Sequence, residues 1–511
     1  MSLLLAPSLD FLYGRGAALF SASLAPAAGV VHVPFSLLPL RFPASAFREA
    51  TALAEPFSAL IDAVSRSPAW LREVLASTAA SDDFTRRQYA LFCALADEGA
   101  PAQPLSLLIT RSDYMLSRGQ LKQVEINTIA ASFGALSTAV GELHAFTRHR
   151  LTRSVPAAAQ HFIGAEDASE IGPSASRPAL AAALARAHSA YVERHVAAGA
   201  PAPIVLFVVQ PGERNALDQR AIEHELWRTH GVAVRRATLS ELGGALCALE
   251  GGPPSHGCAA PRLFLAAESA LGERDEVSVV YFRSGYSPGD YCDENAWVAR
   301  EKIERALSVK CPTLGAQLAG AKKVQQVLAA SGELERFVSD EESVRSLRTS
   351  FAGLWPLDIS NLKGDARATA EAAVARARRA PDLFVLKPQR EGGGNNIFGA
   401  ELAAALSALD ADGTVRVAAS MTGDQLSSYI LMERLFPEAY PAILVRAGET
   451  TRADAISELG VYGVFLGEGA AAPLLNASAG YLVRTKTVGT NEGGVATGYA
   501  VIDSLLLLDE V

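Results

Sequence analysis

The spacing of apolar residues changes along the chain and divides it into regions. Up to about residue 100 they recur every three or four positions, as in FREATALAEPFSALIDAVSRS (47–67), which predicts helices. From Leu105 to about Ser132 the spacing falls to two, which predicts strands. Residues 150–200 are rich in alanine and helical in pattern. The first two hundred residues are therefore predicted to be mainly helical, with one region of strands.

Short apolar runs separated by helices or loops come next, at 204–210, 231–239, 261–267 and 277–283. The segment DQRAIEHELWRTHG lies between the first two runs and predicts a crossover helix that ends at Gly231. Continuous apolar strands joined by helices are typical of a parallel sheet. This part of the chain is therefore predicted to be a small parallel α/β unit.

Beyond about residue 380 the apolar runs lie closer together and predict antiparallel strands, in LFVLKPQ, SYILMERL, AILVRAG, SELGVYGVFLG and GYLVRTKTVG. We therefore predict an α/β (α+β) protein in three parts. Residues 1–200 hold an N-terminal helical part and the first strands, residues 201–318 form a parallel α/β lobe, and residues 319–511 hold the later strands.

Composition narrows the class of protein. The 511 residues exceed one ordinary core, and the formal net charge is −9 (46 Lys and Arg, 55 Asp and Glu), which gives a nucleic-acid partner no electrostatic support. The five cysteines are scattered, with no CxxC motif, as expected in a reducing compartment. The first residues make a poor signal peptide, and no apolar run is long enough to span a membrane. We expect a cytoplasmic protein without a membrane partner.

A glycine-rich stretch carries the first candidate chemistry. In FVLKPQREGGGNNIFG (384–399), Lys387, Gln389 and Glu391 share one face of an extended segment, and three glycines follow. Backbone N–H groups of such a loop can wrap a polyphosphate, with a lysine as counter-charge and a carboxylate for magnesium. An exposed surface loop explains these residues equally well. The motifs GxxxxGK[ST], GxGxxG, GxSxG and HExxH are all missing.

Two further strands carry charges at a spacing of two. Glu125 and Asn127 in LKQVEINTIAASFG offer two oxygen donors on one strand face, a plausible magnesium half-site. Arg484 and Lys486 share a face in VRTKTV, before the second glycine segment NEGGVATG. Arg111 ends an apolar strand, a common position for anion-binding groups. Each pattern also fits a solvated strand face.

Taken together and in order, these segments resemble the eukaryotic-type glutathione synthetases. The resemblance is carried by RSDYM, LKQVEINTIAASFG, ERNALDQRAIEHEL, VVYFRSGYSP, KCPTLGAQLAGAKKVQQVL, FAGLWPLD, FVLKPQREGGGNN, YILMERL, ISELGVYGVF and LVRTKTVGTNEGGVATG. It implies the ATP-grasp fold with an inserted substrate-binding lobe and a mobile lid. It also implies a homodimer that ligates γ-glutamylcysteine to glycine with ATP, through an acyl phosphate.

The resemblance also implies roles for residues on the nucleotide side. Those expected to contact ATP are Glu125, Lys322, Lys387, Gln389, Glu391, Gly392, Gly393, Gly394, Asn395, Asn396, Phe398, Met432, Glu433, Arg434, Leu435, Glu458, Lys486 and Glu492. The expected ligands of Mg²⁺, two ions per subunit, are Glu125, Asn127 and Glu391. Phe398 stands where tyrosine is usual in the family; it can stack beside adenine but donates no hydrogen bond.

Roles for substrate residues follow from the same likeness. The expected contacts to the dipeptide and glycine are Arg111, Ala130, Ser132, Glu213, Arg214, Asn215, Gln219, Arg283, Tyr286, Arg484, Val495 and Ala496. The groups expected to act in catalysis are Arg111, Arg484, Lys322 and Lys387. Ala130 stands where the family often has serine, so one contact to the dipeptide is expected to be missing. Either arginine could stabilise the tetrahedral oxyanion.

Two alternatives keep the fold and change the function. A homoglutathione-type ligase would use β-alanine as the acceptor in place of glycine. A non-catalytic relative would bind the nucleotide and lack the reaction, although loss of that kind should first remove the metal ligands or lysines, which are all present.

Overall fold

The computed structural model describes residues 2–21, 29–99, 103–154, 174–244, 246–251, 261–267, 274–359, 362–389, 396–407, 428–491 and 493–509. Its α-helices are α1 (Ser2–Gly14), α2 (Ala44–Ala52), α3 (Ala54–Ser65), α4 (Pro68–Ser81), α5 (Asp83–Asp97), α6 (Gly134–Ser154), α7 (Ser176–His195), α8 (Ala216–His230), α9 (Leu239–Gly243), α10 (Glu294–Arg305), α11 (Leu314–Ala319), α12 (Lys322–Leu328), α13 (Glu341–Ser350), α14 (Gly364–Arg379) and α15 (Gly399–Ser407).

The β-strands are β1 (Ala18–Phe20), β2 (Val30–His32), β3 (Phe35–Ser36), β4 (Leu40–Pro43), β5 (Ser106–Ser117), β6 (Gln120–Asn127), β7 (Ile204–Val208), β8 (Val234–Ala237), β9 (Cys247–Gly251), β10 (Pro261–Leu265), β11 (Asp275–Phe282), β12 (Val309–Cys311), β13 (Leu354–Pro356), β14 (Phe384–Pro388), β15 (Ile397–Phe398), β16 (Tyr429–Glu433), β17 (Tyr440–Arg446), β18 (Glu449–Gly467), β19 (Leu475–Thr487), β20 (Val501–Asp503) and β21 (Leu505–Leu508). The predicted α/β class is confirmed.

The N-terminal helical pattern is confirmed, but the stretch 47–67 forms parts of two helices. α2 ends at Ala52, Leu53 separates the two, and α3 begins at Ala54. Pro56 explains the break, because proline lacks an N–H and its ring clashes with the carbonyl four residues earlier. The crossover helix is also confirmed: α8 ends at His230, and Gly231 caps it in the left-handed conformation with φ 67°.

A mixed sheet of thirteen described strands runs through the protein. Its strand order is β9–β10–β11–β12–β5–β18–β19–β20–β3–β17, with β6 beside β5, β7 beside β11, and β8 beside β7. The 19-residue strand β18 pairs with β17 along its first part and with β5 along its second. The sheet is therefore continuous from the region of β7–β12 to the C-terminal strands.

The prediction of a parallel sheet in the middle of the chain is partly wrong. β7, β8 and β11 pair in parallel, as expected, and β12, which was not among the predicted runs, also pairs in parallel with β11. The run at 261–267 instead forms β10, which is antiparallel to both β9 and β11. Only nine residues join each of these pairs, and a parallel crossover needs a dozen or more. Connection length therefore decides the direction of this strand.

Both faces of the sheet are covered by helices, so strand β5 is apolar on both sides. Its Leu107 and Ile109 belong to the core formed with α1, α6, α7 and α8. Leu108 points the other way, into the core formed with α2–α5. Further along β5, Arg111 continues the face of Leu107 and Ile109, beyond the end of the apolar run.

A second sheet forms a separate lobe on the side of the central sheet that carries Arg111. Its order is β13–β16–β14–β15, all antiparallel, and it carries α14 and α15 on its own core of buried residues such as Leu386, Leu402 and Leu431. The antiparallel pairing predicted for the C-terminal strands is confirmed in both sheets. No helix within the described residues is long and apolar enough to cross a membrane.

A buried histidine provides a test of this packing. His144 in α6 donates from Nε2 to the Ser36 carbonyl (2.8 Å) and accepts at Nδ1 from Ser504 Oγ (2.7 Å). Burial lowers the pKa of His144 from 6.5 to about 4. Below pH 6.5, His144 is therefore protonated in the unfolded chain but stays neutral in the folded chain until the pH approaches 4. The free energy of unfolding falls over this range.

We predict that wild type loses up to about 3 kcal/mol of unfolding free energy relative to His144→Gln between pH 7 and pH 4. Urea unfolding at a series of pH values measures the difference. His230→Gln, at an exposed position, is the matched control: it keeps His144 and should lose as much unfolding free energy as wild type. A constant difference in unfolding free energy between wild type and His144→Gln over this range would contradict the lowered pKa of His144.

Candidate active site

A cavity of about 840 Å³ opens between the central sheet and the four-stranded lobe. Most of the residues predicted from the sequence line it: Arg111, Glu125, Asn127, Ala130, Ser132, Glu213, Arg214, Asn215, Tyr286, Lys387, Asn396, Phe398, Met432, Glu433, Arg434, Leu435, Glu458, Arg484, Lys486, Val495 and Ala496. These residues come from both ends of the sequence, and the fold brings them together around one space.

Four predicted residues lie behind the cavity wall. Lys322 is buried and reaches Glu125 (Nζ–Oε2 3.2 Å). Gln219 reaches Glu213, and Gln389 accepts from the backbone N–H of Lys323. The fourth is Arg283, described below. Glu391, Gly392, Gly393, Gly394, Asn395 and Glu492 lie outside the described residues.

The floor of the cavity begins with strands β5 and β6. Their register sets Arg111 opposite Asn127 and Asp113 opposite Glu125. Side chains two residues apart share a strand face, so these four polar groups stand together. Glu125 and Asn127 therefore share one strand face, as their spacing predicted. Arg111 and Asp113 of β5 form a second pair on the same face of the sheet.

Strands β18 and β19 complete the floor. Gly460 pairs with Asp113, and Glu458 pairs with Arg484. Lys486 follows Arg484 at the next position on the same face. The floor thus combines cations and carboxylates from four adjacent strands.

Asp113 holds the two arginines of the floor. It is fully buried and accepts a bidentate pair from Arg111 (Nε–Oδ1 2.6 Å, Nη2–Oδ2 2.9 Å). Arg484 Nη2 donates to the same carboxylate at 2.9 Å. A carboxylate between two guanidinium groups offsets the repulsion that would otherwise separate them. Arg484 also donates to Glu458.

One carboxylate, Glu125, is the counter-ion of both lysines. Lys322 and Lys387 approach its Oε2 at 3.2 and 3.3 Å. Burial alone would raise the pKa of Glu125, but the two ammonium groups hold it well below its usual range. Burial lowers the pKa of Lys387, and Glu125 opposes that shift. Lys322 and Lys387 are therefore placed to bind one negatively charged group, and in this structure that group is the Glu125 carboxylate.

Glu458 has the opposite environment among the carboxylates of the floor. Burial raises its pKa, and the nearby Asp113 and Glu125 act in the same direction against the attraction of Arg484. A further anion in this part of the cavity would meet repulsion unless a cation accompanied it.

A strained loop joins β6 to α6 at one wall of the cavity. Ala130 and Phe133 both have positive φ (51° and 72°), which is uncommon for residues with a side chain. Asp218 in α8 secures the loop by accepting from the backbone N–H groups of Phe133 (2.8 Å) and Ala135 (2.9 Å). The loop therefore presents Ala130 at the cavity surface in a fixed conformation.

Arg283 supports the same wall from behind. Its guanidinium donates to the Ser132 hydroxyl (Nη2–Oγ 2.8 Å) and to the Ala131 carbonyl (Nη1–O 2.7 Å). Asp218 is its counter-charge at 3.5 Å. Arg111 reaches the Ser132 carbonyl at 3.2 Å. The loop is thus fixed between two arginines.

Three acidic residues of this site were missed in the sequence: Asp113, Asp218 and Asp290. Asp290 shapes the loop around Tyr286 by accepting from the backbone N–H groups of Tyr286 (3.0 Å) and Ser287 (2.9 Å). Asp113 had a signal, because it stands two residues after Arg111 on the same strand face. Asp290 had a weaker signal, since it stands three residues after Ser287 at the spacing of a capping box. Asp218 carries none, because its partners in the 133–135 loop and Arg283 lie far away along the chain.

The opposite wall comes from the four-stranded lobe and is more apolar. Val385 and Met432 are buried there, and Phe398 packs against the same small core. The guanidinium carbon of Arg434 lies 5.5 Å from the centre of the Phe398 ring. A flat apolar slot beside backbone of β16 suits a heterocyclic base.

The C-terminal glycine segment closes one end of the cavity. Arg214 donates to the Ala496 carbonyl (Nη1–O 2.7 Å) and ties this segment to the β7–α8 connection. A Cβ built on Gly493 would lie 3.9 Å from Arg484 Nη1. This end of the cavity therefore combines a guanidinium with small residues.

Oxygen donors suited to a divalent cation face the cavity. Glu125 and Asn127 lie on one strand face beside the lysine pair. Among the described residues, no three His, Cys, Asp or Glu side chains form a metal-binding cluster. Glu391, the third expected ligand, lies outside the described residues. Mg²⁺ typically takes one or two protein carboxylates and completes its shell with phosphate and water. The donors present fit that chemistry.

Comparisons with known proteins agree with this geometry. The family model described as eukaryotic glutathione synthase, ATP binding domain, matches residues 2–507. The chain is 37% identical over 507 residues to glutathione synthetase of Mus musculus, covering 97% of this chain and 95% of the relative. It is 37% identical over 495 residues to the chloroplastic glutathione synthetase of Solanum lycopersicum, covering 94% and 79%.

A solved structure shares the fold. The apo form of a glutathione synthetase-like effector from Globodera pallida matches with a TM-score of 0.70 at 22% identity, over 99% of this chain and 97% of that chain. The family model and the relatives show an ATP-dependent ligase, and the mixed α/β fold agrees with the ATP-grasp class. The chain belongs to the eukaryotic glutathione synthase family.

The shared carboxylate of the lysine pair gives a test of the site in its ligand-free form. Glu125→Gln leaves Lys322 and Lys387 without their counter-ion, so we predict a loss of about 2 kcal/mol of unfolding free energy. That is below the usual cost of breaking a buried pair, because the Glu125 side chain is 23% exposed. ATP with a chelator should restore more stability to the variant than to wild type, because the phosphates replace the lost charge.

Urea unfolding with and without ATP measures both effects. Glu98→Gln is the matched control, since Glu98 forms an exposed pair with Arg305. Equal unfolding free energies for the two variants would show that the lysines do not depend on Glu125.

Proposed function

We propose that this protein is a glutathione synthetase, which joins γ-glutamylcysteine to glycine and converts ATP to ADP and phosphate. The observation that carries the proposal is the arrangement of one cavity. An apolar slot for a base lies on one side, a fixed polar loop for a dipeptide lies on the other, and buried cations lie between them. Family membership over residues 2–507 supports the same reaction.

The nucleotide would occupy the space between the two sheets. Adenine would stack beside Phe398 and contact Met432 to Leu435 along β16, while the phosphates would reach Lys322 and Lys387. Lys486, Asn396 and Glu458 would surround the sugar and phosphates. Gln389 would act from behind the wall, where it accepts from the backbone N–H of Lys323. On the sequence, Glu391 to Asn395 and Glu492 belong to the same site.

Glu125, Asn127 and Glu391 would hold Mg²⁺, two ions per subunit in the proposal. Bound magnesium neutralises charge on the transferring phosphoryl group. Binding of a cation and phosphate would also change the partners of Glu125, whose present partners are the two lysines. The lysines would then be available to the phosphate oxygens, in positions that they already occupy.

The dipeptide would lie along the loop of Ala130 and Ser132 and against Glu213, Asn215 and Tyr286. Gln219 and Arg283 are buried behind this surface. Their contacts to Glu213 and Ser132 support a role in holding those side chains in place. Arg214 would act at the junction with the glycine segment, through its bond to the Ala496 carbonyl.

The proposed reaction has two steps. The cysteine carboxylate attacks the γ-phosphorus of ATP, ADP leaves, and an acyl phosphate forms. The amine of glycine then attacks the acyl carbon, a C–N bond forms, and phosphate leaves with the electron pair of the C–O bond while the amine loses a proton. Phosphoryl transfer of this kind depends on positioning and charge neutralisation more than on covalent catalysis.

The two arginines divide between the substrates in this proposal. Arg111 contacts the Ser132 carbonyl, on the dipeptide side. Arg484 lies beside Gly493, at the acceptor end. Arg111 would therefore stabilise the acyl oxygen as negative charge develops on it, and Arg484 would bind the carboxylate of glycine. Water must be excluded from the acyl phosphate, a role for the lobe of β13–β16 as a lid.

A homodimer is proposed from the resemblance to the family, and sedimentation analysis tests it directly. The proposed location is the cytoplasm, supported by the scattered cysteines, of which Cys93, Cys247, Cys292 and Cys311 are free in the structure. The printed name of the tomato relative assigns that protein to the chloroplast.

The acceptor gives the sharpest test of this function. Glycine has no side chain, and the acceptor end is lined by the small residues Gly493, Gly494 and Ala496. We predict formation of glutathione from ATP, Mg²⁺, γ-glutamylcysteine and glycine, with kcat/KM for glycine about 10- to 200-fold above that for β-alanine. Ala496→Gly should enlarge the acceptor end of the cavity and lower the ratio of kcat/KM for glycine to kcat/KM for β-alanine.

Mass spectrometry identifies the product, and phosphate release gives both rates. Ala472→Gly, at an exposed position between β18 and β19, is the matched control and should keep the wild-type ratio. A preference for β-alanine would assign the protein to the homoglutathione-type ligases. ATP binding by folded protein without any product would instead indicate the non-catalytic relative.

A further inference from the structure

Asp113 is a buried carboxylate with a third partner beside its two arginines. It is 0% exposed, and its Oδ2 accepts from Asn127 Nδ2 at 2.9 Å, in addition to Arg111 and Arg484. Asn127 is the last residue of β6 and lines the cavity. Asp113 therefore connects the arginine pair to a residue on the cation side of the site.

The position of this carboxylate is tightly constrained. Both of its oxygens accept from Arg111, so it cannot rotate without breaking a charge-assisted bond. Gly460 on the neighbouring strand leaves the space that the pair fills. A Cβ at that position would lie 2.6 Å from Asp113 Oδ1 and 2.8 Å from Arg111 Cδ. Asp113 thus offers its Oδ2 to Asn127 from a fixed point.

The hydrogen-bond partners of Asn127 determine which end of its amide faces them. Its Nδ2 donates to Asp113 Oδ2 (2.9 Å) and to the Arg111 carbonyl (3.3 Å). An ionised carboxylate and a backbone carbonyl only accept hydrogen bonds, so only the NH₂ end of the amide can face both. The carbonyl oxygen of Asn127 is therefore turned away from Asp113.

We infer that Asp113 is a positioning residue that directs the carbonyl oxygen of Asn127 toward the divalent cation of the site. An amide binds a hard cation through oxygen, and its NH₂ end repels one. Groups that orient a ligand in this way typically change metal affinity by about 10- to 100-fold when they are replaced. The inference rests on the proposed function, because it requires a cation at Glu125 and Asn127.

The test measures cation binding without turnover. Mn²⁺ is titrated into the protein with a saturating non-hydrolysable ATP analogue, and free Mn²⁺ is followed by its electron paramagnetic resonance signal, with the analogue alone as baseline. The amide introduced by Asp113→Asn can donate a hydrogen bond to the side-chain oxygen of Asn127. The Asn127 amide can therefore flip, so that its oxygen faces position 113 and no longer faces the cation. We expect the dissociation constant of this variant for Mn²⁺ to rise by about 10- to 100-fold over wild type.

Asp503→Asn is the matched control for loss of a buried carboxylate. Asp503 in β20 is fully buried and accepts from Thr485 Oγ1 (2.9 Å) and the Leu40 N–H (3.3 Å). It pairs with Val483, the neighbour of Arg484, so its side chain lies on the opposite face of the sheet. Its Mn²⁺ affinity should equal that of wild type, even if its unfolding free energy falls as far as that of Asp113→Asn.

A double-mutant cycle separates orientation from general damage. If Asp113 acts on the cation through Asn127, adding Asp113→Asn to Asn127→Ala should change the dissociation constant by less than about twofold. A further tenfold loss in that background would overturn the inference. So would an unchanged affinity in Asp113→Asn alone, provided that wild type binds Mn²⁺. Absence of binding by wild type would instead count against the proposed function.

Asn127→Asp tests the same geometry if Asp113→Asn does not fold. The added negative charge would ordinarily strengthen binding of a divalent cation. Here the second carboxylate oxygen would face Asp113 and the Arg111 carbonyl, which are both acceptors. We therefore expect Mn²⁺ to bind no more tightly than in wild type, and clearly tighter binding would overturn the inference.

Discussion

Two guanidinium groups lie side by side at the centre of this protein because one buried carboxylate lies between them. Arg111 and Arg484 are largely buried and would repel each other strongly without a counter-charge. Asp113 offsets that repulsion and accepts from both at 2.6–2.9 Å. The proposed dipeptide and acceptor positions depend on this arrangement, since each arginine marks one of them.

The lysine pair follows the same principle with a different outcome. Glu125 balances Lys322 and Lys387, but its side chain remains 23% exposed, whereas Asp113 is fully buried. A fully buried counter-ion is permanent, while a partly exposed one can exchange partners when ligands arrive. The arginines are therefore fixed parts of the floor, and in the proposed function the lysines would become available to phosphate. The two carboxylates lie opposite each other in neighbouring strands, so both arrangements depend on one register.

Much of the site was accessible from local sequence because strands impose a period of two. Glu125 with Asn127, and Arg484 with Lys486, were recognised as pairs on one face, and each pair lines the cavity. The order of motifs along the chain indicated the family. Asp218 has no signature in the sequence, because its partners, the Phe133 N–H and the Arg283 guanidinium, lie far away along the chain.

The sequence by itself determined the class of the fold, the kinds of chemical group available and which groups share a strand face, because these depend on neighbours along the chain. The parallel arrangement that the apolar runs predicted was wrong for β10, whose short connections favour antiparallel pairing with both neighbours. The sequence also could not join Arg484 to Asp113, which are 371 positions apart. That contact exists because β18 pairs with β5 on one side and β19 on the other, and only the tertiary structure decides strand order. Burial, which makes the contact strong, is likewise a property of the whole fold.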